Sequence, residues 1–340
     1  MLMTYCNGMT VIERNMDQTS LPLVVVPNCV PSLSEPLLRC LDRFDGKARV
    51  RLYAQPRDVT DPDELVARCA GADAVIVLGF HVTDGMFEAL QPSVRCFAFG
   101  GTGIANYVNV PLAKRRGVRI CNVRHYGDQS VAEHAVALMF ELAKRTGRMD
   151  AQMHQSGWPG FDAIQLGGRT LGVAGFGGIG KATARIARGI GMNVMEWSRS
   201  SHADEAAAMG IEESPSLERL FETCDIVSLH MTLSDQTQGI INAGLVNRLR
   251  PGSMLVNTAR SQLVDSQALL ARLRKGDISA GLDVFDVEPL PDDSPLRSLP
   301  NVVITPHNAW RTDAASEGIV QQCVDGVLAW LDGREVNVVV

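Results

Sequence analysis

Short uninterrupted apolar runs alternate along this chain with longer stretches whose apolar positions recur at helical spacing. The first kind reads as buried parallel strands, the second as helices with one face turned inward. In the first third, strands are predicted at Leu23–Pro27, Val50–Tyr53, Ala74–Leu78, Arg95–Phe99 and Arg119–Asn122. Helices are predicted between them at Ser34–Phe44, Pro62–Cys69, Thr83–Ala89 and Val110–Arg116. One long helix is expected from Ser130 to Arg148, with Val131, Ala135, Leu138 and Leu142 on one face. A second series follows, with strands at 171–175, 193–197, 225–229, 253–257, 279–282 and 302–305. Its helices are expected at 178–190, 216–223, 243–248 and 266–273, and a last helix at Ala314–Leu331. Such alternation builds parallel sheets with helices on both faces, so the expected fold class is α/β with two doubly wound sheets. Met1–Ser20 is polar and aperiodic and reads as a loose tail, or as residues ahead of a later start at Met9 or Met16.

Composition narrows the function classes. The 340 residues are about two domains' worth. A net charge of −6 gives no hint of nucleic-acid binding. No run of about eighteen apolar residues occurs, so no membrane span is expected. Eight scattered cysteines without Cys-x-x-Cys spacing read as buried free thiols of a reducing cytoplasm. Seven histidines form no ligand-spaced cluster, so no metal site is expected.

Gly175-Phe176-Gly177-Gly178-Ile179-Gly180 follows the apolar run Leu171–Ala174 and opens a helical segment. In a strand–turn–helix setting this pattern suits a dinucleotide. The first glycine makes the tight turn, the second admits a pyrophosphate, and the third lets helix pack on strand. The helix N-terminal amides then face the phosphates. The next strand ends at Ser198-Arg199-Ser200, close to the offset of roughly 20 residues where an acidic residue would hold a ribose 2′-hydroxyl. Here no carboxylate repels a 2′-phosphate, and two hydroxyls flank an arginine, which suits NADP. The other reading has Arg199 stacking on the adenine of NAD.

Three later strands end in polar residues, where open parallel sheets bind ligands. Asn257-Thr258-Ala259-Arg260 offers a guanidinium for a carboxylate, Asp283–Pro289 carries Glu288, and Thr305-Pro306-His307 places an imidazole directly after a strand. Singly, each has a plainer reading: a surface ion-pair partner, a solvated loop carboxylate, a structural histidine. Behind a nucleotide motif they form a set: a proton carrier, a group that sets its charge, and a cation for an acidic substrate.

With these motifs, and with Gly101-Thr102-Gly103 and Val131-Ala132-Glu133-His134, residues 70–310 resemble the D-isomer-specific 2-hydroxyacid dehydrogenase family. The resemblance implies a Rossmann cofactor domain (123–307) inserted into a flavodoxin-like substrate domain (1–122 and 308–340). It implies hydride transfer between NAD(P)H and C2 of a 2-keto acid or D-2-hydroxy acid. His307 would be the acid/base, Glu288 would orient its imidazole and favour the charged form, and Arg260 would bind substrate. It places Val131, Thr258, Ala259, His230, Thr232 and Asp283 around the cofactor, Asp283 at the nicotinamide carboxamide. Gly79, Phe80, Gly101 and Thr102 would offer substrate-binding amides, and Trp310 would shape the pocket. Glu133 and His134 would be structural in a helix that joins two subunits of a homodimer. Two other readings share the motifs: a phosphite or formate dehydrogenase, and a nucleotide-sensing corepressor-like protein. Glu288 stands where the formate branch carries Gln, and the chain lacks long disordered flanks for partner docking.

Overall fold

The computed structural model describes the whole chain except Asn7, Asp58, Ala105, Asn106, Pro159 and the side chain of Cys6. It divides into two units, Met1–Tyr126 with Thr312–Val340, and Gly127–Arg311.

The first unit holds β1 (Leu2–Cys6), β2 (Met9–Arg14), β3 (Leu23–Cys29), α1 (Pro31–Cys40), β4 (Arg49–Ala54), α2 (Pro62–Arg68) and β5 (Ala74–Val77). It continues with α3 (Asp84–Leu90), β6 (Cys96–Phe99), α4 (Val110–Arg116) and β7 (Arg119–Asn122). The sheet order is β1-β2-β4-β3-β5-β6-β7. From β4 to β7 all pairings are parallel, in the flavodoxin-like 2-1-3-4-5 order. Apolar runs such as Leu23–Val26 and Ala74–Val77 are buried throughout, as strands covered on both faces must be. Helix starts are set by short polar residues: Asp61, Thr83 and Asn109 each accept a backbone N–H of the first turn.

The loose tail expected at the N-terminus is corrected. Residues 2–14 form an antiparallel hairpin, and β2 pairs antiparallel with β4. Met9–Arg14 includes the β-branched Thr10, Val11 and Ile12, and Ile12 is 3% exposed. Asn15, with φ of 59°, then turns the chain and donates to the carbonyls of Phe44 and Ala48. One fully buried side chain in a ribbon that is otherwise exposed or half-buried gives too weak a periodicity to read as a strand pair.

The second unit starts with α5 (Asp128–Lys144) and α6 (Thr146–His154), then β8 (Thr170–Ala174), α7 (Gly178–Gly189), β9 (Asn193–Trp197), α8 (Ala203–Ala208) and β10 (Glu212–Glu213). It goes on through α9 (Leu217–Thr223), β11 (Ile226–Leu229), α10 (Ala243–Arg248), β12 (Met254–Asn257), α11 (Ser266–Lys275), β13 (Ser279–Leu282) and β14 (Val302–Ile304). All seven strands are parallel in the order β10-β9-β8-β11-β12-β13-β14, the Rossmann 3-2-1-4-5-6 arrangement with one strand added. The single helix expected over 130–148 is instead two. Arg145 takes the left-handed conformation (φ 56°), and the Glu141 carboxylate accepts from Thr146 Oγ1 (2.9 Å) and the Gly147 amide (3.0 Å) in the first turn of α6.

The chain then re-enters the first unit as α12 (Asp313–Leu331), capped by Thr312. Its buried face includes Ile319, Val320, Cys323, Val324 and Val327. Gly326 lets it approach β7, since a Cβ there would stand 3.1 Å from Cys121 Cβ. The last residues pair along β7, Val339 N–H donating to Ile120 O and Ile120 N–H to Val340 O, both at 2.8 Å.

Candidate active site

The candidate residues of the second unit gather where its parallel strands end. Sheet order reverses between β8 and β11, and such switch points leave a crevice for a ligand. Of the four glycines in the turn after β8, the three of the Gly-x-Gly-x-x-Gly pattern face different surroundings. A Cβ at Gly175 (φ 104°) would stand 2.7 Å from the His230 carbonyl carbon and the Met231 nitrogen. One at Gly180 would collide with the Gly175 carbonyl oxygen. At Gly177 nothing lies within 4 Å. Fold thus dictates the first and third glycines, while the second keeps an open cradle at the N-terminus of α7, the geometry a pyrophosphate needs.

Other groups around the turn also suit a dinucleotide. The Thr258 hydroxyl and His230 Nδ1 are buried without a hydrogen-bond partner among the described residues. Burial pushes the His230 imidazole down to about 3, so it is neutral, with Nε2 2.9 Å from Ser228 Oγ. Thr232 is exposed, and its carbonyl accepts from Thr237 Oγ1 (2.7 Å). After β9, Ser198 Oγ donates to Ser200 O (2.7 Å), and Arg199 Nη1 donates to Gln236 Oε1 (2.6 Å). Ser200 Oγ is 3.5 Å from His202 Nε2. Ser200 and Arg199 are exposed, so hydroxyl and guanidinium are open to a ligand.

Arg260 follows β12. Asn257 shapes this turn, accepting from the Ala259 amide (3.0 Å) and donating to Arg260 O (2.9 Å). Arg260 Nη1 donates to Ala259 O (2.7 Å), which orients the guanidinium and leaves its other N–H groups available. Glu288 accepts the Phe285 amide at Oε1 (2.9 Å) and His307 Nδ1 at Oε2 (2.6 Å). Burial raises the Glu288 carboxyl, but the His307 and Phe285 hydrogen bonds and the charges of His307 and Arg260 outweigh it and hold it below its ordinary value. It is therefore an ionised acceptor, and Nδ1 is the protonated ring nitrogen. His307 Nε2 is the ring nitrogen that Glu288 does not engage. The structure thus brings Glu288 and His307 into direct contact, with the Arg260 charge acting on the same carboxylate.

Sequence alone did not show what holds His307 in place. Its φ is +49°, a left-handed conformation costly for a residue with a Cβ. Asp283, 0% exposed at the end of the neighbouring β13, secures the turn from beneath. Its Oδ1 accepts from Thr305 Oγ1 (2.6 Å) and the Asn308 amide (3.1 Å), and its Oδ2 from the Ala309 amide (2.9 Å). Thr305 has one proton and gives it to Asp283, so His134 Nε2 of α5 is the donor in its 3.0 Å contact with Thr305 Oγ1. His134 thereby ties α5 to the same turn. These links connect residues far apart in sequence, and only the pairing of β13 with β14 reveals them. Beside this turn, Val131 and Trp310 flank Gly127: a Cβ added at Gly127 would lie 3.7 Å from both Val131 Cγ2 and Trp310 Cβ.

The remaining candidates belong to the first unit. Gly79 (φ 71°) and Phe80 follow β5, and Gly101 and Thr102 follow the adjacent β6. Phe80 is 4% exposed within the core of that unit, so its side chain is a packing group and only its main chain can meet a ligand. Thr102 Oγ1 donates to Val123 O (3.2 Å) and Thr102 O accepts from Asn122 Nδ2 (3.1 Å), which fixes the turn.

Comparisons with known proteins bear on the family and the fold. A family model described as D-isomer specific 2-hydroxyacid dehydrogenase, NAD binding domain, matches residues 136–309. The hydroxypyruvate reductase of Blautia hydrogenotrophica is 30% identical over 290 residues, covering 83% of this chain and 89% of its own. The apo-structure of D-lactate dehydrogenase from Escherichia coli superposes with a TM-score of 0.83 at 27% identity, covering 94% of this chain and 100% of that one. An acyclic imino acid reductase in complex with NADPH and D-Arg gives 0.78 at 26% identity over the same shares, 94% and 100%. The chain spans about half the length of the curated D-3-phosphoglycerate dehydrogenases it matches.

Proposed function

Because this chain belongs to the D-isomer-specific 2-hydroxyacid dehydrogenase family, we propose that it interconverts a small 2-keto acid and its D-2-hydroxy acid with a nicotinamide dinucleotide. The observation that carries this reading is the 2.6 Å bond from His307 Nδ1 to Glu288, which leaves Nε2 to exchange a proton with substrate. When bound, the dinucleotide supplies or accepts the hydride at C2. In the reducing direction, protonated His307 gives the Nε2 proton to the substrate oxygen as negative charge builds there. Glu288 stabilises the imidazolium and fixes its orientation. Arg260 pairs with the substrate carboxylate and draws charge toward the keto oxygen. In the oxidising direction Nε2 takes the hydroxyl proton instead.

Ser198, Arg199 and Ser200 favour NADP, and a solved neighbour of the same fold binds NADPH. Free buried cysteines, including Cys69, Cys224 and Cys323, suit a cytoplasmic enzyme. The apolar side chains Phe140, Met153 and Trp158, exposed along α5, α6 and the segment after them, suit a homodimer contact. The function is tested by assaying glyoxylate, hydroxypyruvate, pyruvate, phenylpyruvate and branched 2-keto acids, each with NADPH and NADH. Turnover of at least one acid, faster with NADPH, is expected. A clear NADH preference contradicts the cofactor reading, and no turnover of any acid contradicts the function.

A further inference from the structure

Beneath the loop after β9 lies a buried carboxylate that neither catalysis nor dinucleotide binding has so far used. Glu196 is 0% exposed, and neither carboxylate oxygen has a hydrogen-bond partner among the described residues. Buried polar groups are nearly always satisfied, so an orphaned carboxylate calls for a reason. Its register partner on the parallel neighbour β10 is Glu213, which places two acidic side chains opposite each other on one face of the sheet. The charged and titratable groups around the pair are Lys181 on α7, Glu205 on α8 and His202 just before it. Lys181 is already engaged by Glu205 at 2.6 Å, and His202 Nδ1 lies 3.7 Å from Glu205.

The loop stands directly on this pair. Ser198 is two residues beyond Glu196, on the same side of the chain. Ser201 Oγ donates to Glu213 Oε2 (3.0 Å), and Ser198 turns its proton to Ser200 O rather than to Glu196. We propose that Glu196 sets the preference between NADPH and NADH: when neutral it leaves the Ser198–Arg199–Ser200 loop open to a 2′-phosphate, and when ionised its unpaired charge works against that phosphate. Burial first, and then the Glu213 charge, raise the Glu196 carboxyl to about 7, against smaller pulls from Ser198 and Lys181. The change of state thus falls near neutral pH. The proposal rests on the reading that this loop holds the adenosine ribose.

The test measures dissociation constants of NADPH and NADH by quenching of tryptophan fluorescence, from about pH 5.5 to about pH 8.5. Wild type, Glu196→Gln, Glu196→Ala and Arg199→Ala are compared. In wild type the NADPH-to-NADH ratio of dissociation constants should rise about tenfold across the range, as expected of like charges in a partly buried site. Both Glu196 variants should hold the low-pH ratio, apart from the slope due to the phosphate's own ionisation near pH ~6. Arg199→Ala should weaken NADPH more than NADH. If it does, but the Glu196 variants keep the wild-type slope, Glu196 does not set the preference. If Arg199→Ala affects both dinucleotides alike, the loop is not the phosphate site and the proposal falls with that reading.

Discussion

His307 sits in a backbone conformation that its Cβ disfavours, and three hydrogen bonds to the Asp283 carboxylate hold the turn around it. Removing them in Asp283→Ala leaves the Thr305 hydroxyl and two amides unsatisfied. That should cost about 2–4 kcal/mol of stability and lower kcat, measured by thermal unfolding and steady-state kinetics. A variant with wild-type stability and turnover would show that the turn holds itself. Glu288 gives a pH-dependent counterpart. Its carboxyl is held below the ordinary value in the folded protein, so its contribution is present above the unfolded value and lost as pH falls through the folded one. The stability advantage of wild type over Glu288→Gln should therefore appear at neutral pH and vanish well below about pH 4.3, as unfolding temperatures against pH will show. Arg260, Glu288 and His307 were legible in the sequence because each follows a predicted strand in a polar segment. Asp283 was legible as a residue but not as the anchor of the turn, since that depends on which strands lie side by side.

Among the elements, the turn from β8 into α7 separates fold from function most cleanly. Gly180→Ala places a methyl against the Gly175 carbonyl and should destabilise the second unit by about 1–3 kcal/mol. Gly177→Ala meets nothing within 4 Å at an ordinary φ of −78°. It should fold normally yet lose dinucleotide affinity by tenfold or about that. Calorimetric unfolding and binding isotherms distinguish the two, and equal affinity in Gly177→Ala and wild type would mean that the cradle holds no phosphate. The glycine pattern carried this information in sequence because each glycine answers a separate steric demand. The hairpin at the N-terminus and the break at Arg145 were not legible. The hairpin buries little, and the break depends on Glu141 reaching forward to cap the next helix.

At the scale of the molecule, the chain leaves its first unit after Tyr126 and returns at Thr312. Alternating apolar patterns were enough to foresee the parallel strands of both sheets, though not the antiparallel β1 and β2 at the edge of the first. The C-terminal pairing with β7 was not foreseeable, because Val338–Val340 forms only a bridge and two flanking hydrogen bonds. Truncation after Leu331 should lower the unfolding temperature of the first unit while leaving dinucleotide affinity, which belongs to the second, unchanged. A loss of NADPH binding in the truncated protein would contradict that division. The central claim is that His307 moves the proton in a dinucleotide-dependent reaction of a 2-keto acid. It is tested most directly by His307→Ala, with kcat and the NADPH dissociation constant measured on one preparation. The predicted result is a kcat lower by about 10²–10⁴ with the dissociation constant unchanged. Undiminished turnover in that variant would contradict the account.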